Sequence, residues 1–103
     1  MLTHIVFWKL KDHAEGADKA TNLARAKALL ESCAELVPGM LRFEVATAQP
    51  GHECTYDLVL YSQFEDAQAL AAYQNHPDHA AIKPFIGAIR LERQCMDYTY
   101  PAP

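Results

Sequence analysis

The sequence predicts an α+β fold of the ferredoxin-like type, a four-stranded antiparallel sheet with helices on one face that pairs with a second copy. Three observations lead there. The hydrophobic patterns run in the order β-α-β-β-α-β, with a short extra helical segment before the last strand. The first and third strand patterns are apolar on both faces, so both faces of the sheet must be covered. The chain has 103 residues, which makes one domain, residues 1–103, small enough that a partner subunit would add to its stability.

The first strand, "THIVFWKL" over Thr3–Leu10, carries Leu2, His4, Val6, Trp8 and Leu10 on its even positions and Ile5 and Phe7 on its odd ones. A polar stretch, "DHAEGADKATN", leads into a helix whose apolar positions Leu23, Ala26, Leu30, Cys33, Ala34 and Val37 follow the 3.6 period. Pro38 and Gly39 stop it. "MLRFEVATA" alternates, with Leu41, Phe43 and Val45 on one face and Arg42 and Glu44 on the other. "QPGHE" is a turn, and "CTYDLVLYSQF" is the third strand. Asp66 is placed to cap a second helix with a narrow stripe of Ala67, Leu70, Ala71 and Gln74. After "YQNHPDH" come the short segment "AAIKPFIG", the last strand "AIRLERQCMDYTY" and a tail, "PAP".

Helices on one side leave the other side of the sheet bare, so the expected cover is a second copy across a two-fold axis. Such a face would bury on the order of 800 Å² per subunit, the ordinary size of a specific interface. A homodimer is the expected state.

Composition narrows the function classes. Half the residues are hydrophobic, about a fifth are charged, and the net charge is −4, as in an ordinary globular protein. No basic cluster exists, so nucleic acid is not an expected partner. No apolar run nears the roughly 20 residues that span a bilayer, so no membrane is expected either. The N-terminus has neither the basic region nor the cleavage site of a signal peptide, and the expected compartment is the cytoplasm. Cys33, Cys54 and Cys95 form no CxxC pair and read as small hydrophobes in or near the core. His76 with His79, and "HEC" at residues 52–54, invite a zinc reading. Zinc wants three or four converging ligands, and these segments are not obliged to meet, so no metal and no cofactor are expected.

The heptapeptide "YQNHPDH" carries the chemistry. Pro77 drives His76 out of helical geometry, and proline suits the first position of a helix. The parse makes Asn75 a left-handed stop, His76 the cap of a new helix, Pro77 its first residue and His79 its third. A histidine in a first helical turn feels the positive end of the macrodipole, which disfavours imidazolium, while Asp78 pulls the other way. A neutral imidazole with one nitrogen held accepts a proton on the other. The bland reading stands beside this: a corner needs a cap and a proline, and histidines at corners bond nearby carbonyls.

"HIVFWKLK", "VPGM", "YDLVLYSQFED", "ALAAYQNHPDH" and the closing "MDYTY" together resemble the stress-responsive dimeric A/B barrel family, often called Dabb, over about residues 2 to 100. The resemblance implies a ferredoxin-like domain paired into a dimeric barrel. Most members have no assigned reaction, and one plant member cyclises a linear polyketide. Carried over by motif position, His79 would be a general base, Tyr73 would hold and polarise, and His4 would line the pocket. Trp8, Leu58 and His76 complete the expected pocket. The cyclase has a further histidine where this chain has Leu58, so one polar pocket wall is apolar here. Three functions follow: a binder or cofactor-free enzyme for a small apolar carbonyl compound, a non-catalytic stress-related dimer with an architectural corner, and a cofactor-independent monooxygenase on the same barrel.

Overall fold

The computed structural model describes residues 1–101, and the end of the "PAP" tail lies outside them. The elements run β1 (Leu2–Leu10), β2 (His13–Ala14), β3 (Ala17–Asp18), α1 (Lys19–Glu31), β4 (Met40–Thr47), β5 (Leu58–Phe64), α2 (Ala67–Asn75), α3 (Pro77–Ile89) and β6 (Arg90–Thr99). Four strands form one antiparallel sheet in the order β4-β5-β1-β6, the ferredoxin-like arrangement.

β1 sits inside the sheet and alternates faces. Val6, Trp8 and Leu10 point to the helices, and Val6 and Trp8 pair with Leu60 and Leu58 of β5. Its odd residues meet Val59 and Tyr61 of β5 and Met96 and Tyr98 of β6 on the opposite face. That face has no helix over it: Phe7 is 39% exposed and Met96 65%. The doubly apolar strand therefore has one face in the core and one unpartnered in the single chain.

The polar lead into α1 is a small hairpin. His13 pairs with Asp18 and Ala14 with Ala17, and both turn residues, Glu15 and Gly16, have positive φ, as a two-residue hairpin turn requires. The side chain of Asn22, fully buried in α1, donates to the Ala14 carbonyl at 2.9 Å and so ties the hairpin to the helix. Asp18 caps α1 by accepting from the Thr21 N–H at 2.8 Å, a bond that also lowers the Asp18 pKa.

Local expectations shift where the chain turns. The apolar period through Cys33, Ala34 and Val37 does not extend α1, which ends at Glu31; Cys33 is still buried, its Sγ against the Leu29 carbonyl, and Ala34 is exposed. Cys54 and Cys95 are exposed rather than in the core. Leu41 does not share a face with Phe43 and Val45, because a register shift between Met40 and Arg42 makes it the extra residue of a bulge, 52% exposed. α2 turns Leu70 and Tyr73 inward, while Ala67 and Ala71 are exposed. The segment after the corner is a full helix of 13 residues despite Pro84 inside it. Ile82, Ile86 and Ile89 are buried on one stripe, and Ala80, whose carbonyl loses its partner to the proline, is exposed to water.

α1 packs on β4 and β5, and α2 on β5 and α3. On the other half of the sheet β6 is exposed along its whole length. That uneven cover positions the site.

Candidate functional site

Between α1, α3 and the sheet lies a cavity of about 530 Å³. Its apolar wall is Val6, Trp8, Leu30, Leu60, Ile82 and Ile86, and both His4 and His79 stand on it. No helix among the described residues is long and apolar enough to cross a membrane, and no three His, Cys, Asp or Glu side chains among them converge as a metal site would require.

His79 comes from the corner. Pro77 holds His76 extended at φ −65° and ψ 136°, so α2 stops at Asn75 and α3 begins at once. Asn75 is not left-handed; among the described non-glycine residues only Glu15 and Glu35 have positive φ. The extended His76 makes the break by itself. The His76 Nδ1 accepts from the Asp78 N–H at 3.1 Å, which is the expected cap. His76 serves the corner and does not line the cavity.

One turn further on, the Nδ1 of His79 lies 3.2 Å from the Gln74 carbonyl. A carbonyl only accepts, so Nδ1 carries the proton and Nε2 keeps its lone pair. The His79 pKa is lowered, first by burial, with help from the positive Lys83 and Arg93 and against the pull of the Gln74 bond. The ring is held neutral, in one tautomer, on the cavity wall.

Tyr73 does not hold that imidazole. The two rings stack at 4.5 Å between centroids and 51°, but the phenol is fully buried among Phe43 and Phe64 and outside the cavity lining. Its hydroxyl has no hydrogen-bond partner among the described residues, and burial drives its pKa far up. Tyr73 orients the His79 ring by contact; the backbone of Gln74 supplies the bond expected of the phenol. Leu58 is buried in the core opposite Trp8 and does not reach the cavity.

His4 reaches the cavity from β1. It is 4% exposed, its backbone carbonyl accepts from the buried Ser62 hydroxyl at 2.9 Å, and its Nδ1 bonds the Asp97 carboxylate directly across the β1–β6 pair. The carboxylate accepts from Nδ1–H and orients the ring, as second carboxylates do for working histidines. Asp97 lies within "MDYTY", but only the strand register brings it to a residue 93 positions earlier. Of the six expected site residues, the structure brings His4, Trp8 and His79 to one cavity and leaves Tyr73, Leu58 and His76 outside its lining.

The sheet order β4-β5-β1-β6 with its helices on one face places the chain among the ferredoxin-like α+β domains. Residues 2–100 match the stress responsive A/B barrel domain, Dabb, and the chain belongs to that family. Solved structures agree. A dimeric protein of unknown function and ferredoxin-like fold from Bacteroides fragilis is 27% identical, with 96% of this chain and 95% of that one covered and a TM-score of 0.79. A Dabb family protein with a ferredoxin-like fold from Mesorhizobium loti is 24% identical, covering 95% and 94%, at a TM-score of 0.66. An antibiotic biosynthesis monooxygenase shares the fold at 20% identity, 96% and 97% coverage and a TM-score of 0.71. No functionally curated protein matches the chain in sequence.

Proposed function

We propose that this protein is a cytoplasmic homodimer that binds a small apolar carbonyl compound in the cavity between sheet and helices, with His79 as a cofactor-free general base. The observation that carries the reading is the Gln74 carbonyl at His79 Nδ1, which leaves Nε2 unprotonated on the cavity wall. An imidazole so poised takes a proton from the carbon next to a bound carbonyl: the C–H electrons move into the enolate, and the proton goes to Nε2. The enolate carbon then attacks a second carbonyl of the same molecule, as in a polyketide cyclisation. The proton held on His79 Nε2 then returns to the new alkoxide, and His4, oriented by Asp97, faces the same space.

The homodimer is supported by the uncovered stripe of Phe7, Ile5, Val59 and Met96 on the sheet's outer face, and by the dimeric state in the description of the Bacteroides fragilis relative. Three free thiols suit a reducing compartment.

The test is hydrogen–deuterium exchange at the α-carbon of an apolar diketone, followed by NMR in deuterated buffer. The protein should speed exchange, His79→Gln should bring it back to the buffer rate, and light scattering should find both proteins dimeric and equally stable. Exchange that survives His79→Gln would remove the base from this position.

A further inference from the structure

Three cations stand on the cavity wall, Lys83 on α3 and Arg90 and Arg93 on β6, and no acidic side chain lines it among the described residues. None of the three makes an ion pair among those residues, although the chain carries a net charge of −4. Lys9, Lys19 and Arg42, elsewhere on the surface, each face a carboxylate. Asp97, further along β6, is engaged by His4.

The two arginines are brought together by a defect in the strand. In a regular strand Leu91 would share a face with Arg93, and Arg90 would point away. A register shift opposite Lys9 and Leu10 makes Leu91 the extra residue: Glu92 pairs with Lys9, and Arg90 with Leu10. Leu10 and Trp8 face the helices, so Arg90 and Arg93, opposite them, turn to the cavity side, and Leu91 is left 66% exposed. Exposing a leucine to bring in an arginine is the reverse of what core formation alone favours. Bulges that re-aim a side chain are common beside binding sites.

Resting on the pocket reading above, we infer that the occupant is an anionic amphiphile: an oxo acid whose apolar body sits against Val6, Trp8 and Ile86 while its carboxylate is held at the mouth by Lys83, Arg90 and Arg93. Guanidinium groups fit a carboxylate through paired N–H bonds, and their attraction grows as the ligand displaces water from the mouth. The same cations favour the enolate that a base at His79 would generate. Gly87 stands on the wall between Lys83 and Arg90, and a Cβ built on it meets nothing within 4 Å. The helix leaves room there for the entering chain.

Trp8 is the one tryptophan of the sequence and lines the cavity, so its fluorescence reports occupancy. The full-length protein is titrated with decanoate, decanol and decyltrimethylammonium, alongside Arg90→Gln/Arg93→Gln and the mouth-blocking Gly87→Phe. Decanoate should bind roughly tenfold or more tighter than decanol. That preference should shrink in high salt and vanish in the double variant, with decanol affinity unchanged and Gly87→Phe weakening both. Equal binding of decanoate and decanol, or a double variant that weakens both alike, overturns the anion site and leaves the apolar pocket standing. If no probe binds, both readings fall together.

Discussion

The two halves of the sheet are built from similar residues and treated differently by the helices. Under α1 and α2, β4 and β5 are packed: Phe64 is fully buried against Tyr73, which is in turn edge-on to Phe43. Over β1 and β6 the helices stand off, and the gap is a cavity whose floor holds His4 and Trp8. Packing density in protein interiors leaves few voids larger than a water molecule, so a hollow of this size is a departure from ordinary packing. The lesson is a division of labour. The β4–β5 half supplies cohesion, and the β1–β6 half holds open the space where the oriented histidines stand with Lys83, Arg90 and Arg93.

The contrast is broken most severely by truncating the packed half. Phe64→Ala should cost about 3–5 kcal/mol in denaturant unfolding, whereas Ile82→Ala, on the cavity wall, should fall near the low end of the range for such changes, about 2 kcal/mol. Equal losses would mean that the hollow half is closed and packed in solution.

The next largest effect separates two glycines. Gly39 has φ +88°, and a Cβ there would sit 2.9 Å from the Ala69 Cβ. Gly39→Ala should therefore destabilise by about 1–2 kcal/mol or more. Gly87 lies in a helix beside open space, and Gly87→Ala should stabilise by about 0.5–1 kcal/mol. Melting temperatures moving in the same direction would contradict the placement of one of them.

The smallest effect is the dependence on pH. The folded His79 has a pKa below its ordinary 6.5. Above that value both states are neutral and the group adds no slope; on acidification the unfolded chain takes the proton first, so stability falls as the pH drops through 6.5 toward the folded pKa. His79→Gln should flatten that part of a stability-versus-pH curve, and His76→Ala should leave it in place while losing about 1 kcal/mol of cap at neutral pH. A slope that persists in His79→Gln would assign the titration to another histidine.

Much of this was open to reading along the chain because the causes are local. Pro77 bars helical geometry at its neighbour, so the corner and the cap at His76 follow from three adjacent residues. Asp66 caps α2 from the first turn it serves. The strands apolar on both faces required a sheet with two covered sides, whatever the covers are. The segment "AAIKPFIG" reads as short, yet α3 runs through Pro84 to Ile89, because the buried stripe of Ile82, Ile86 and Ile89 holds the helix together.

What tertiary structure alone decided is everything that depends on register and on the spacing between layers. Leu41 and Leu91 are bulge residues because β4 and β6 slip against their partners, and no periodicity in either strand marks the slip. The His4–Asp97 bond joins the two ends of the chain. The choice of the Gln74 carbonyl over the Tyr73 hydroxyl as the partner of His79 turns on how two helices meet. A sequence states which side chains want burial; where the buried atoms leave a hollow is a property of the assembled layers, because a void is the sum of many contacts not made.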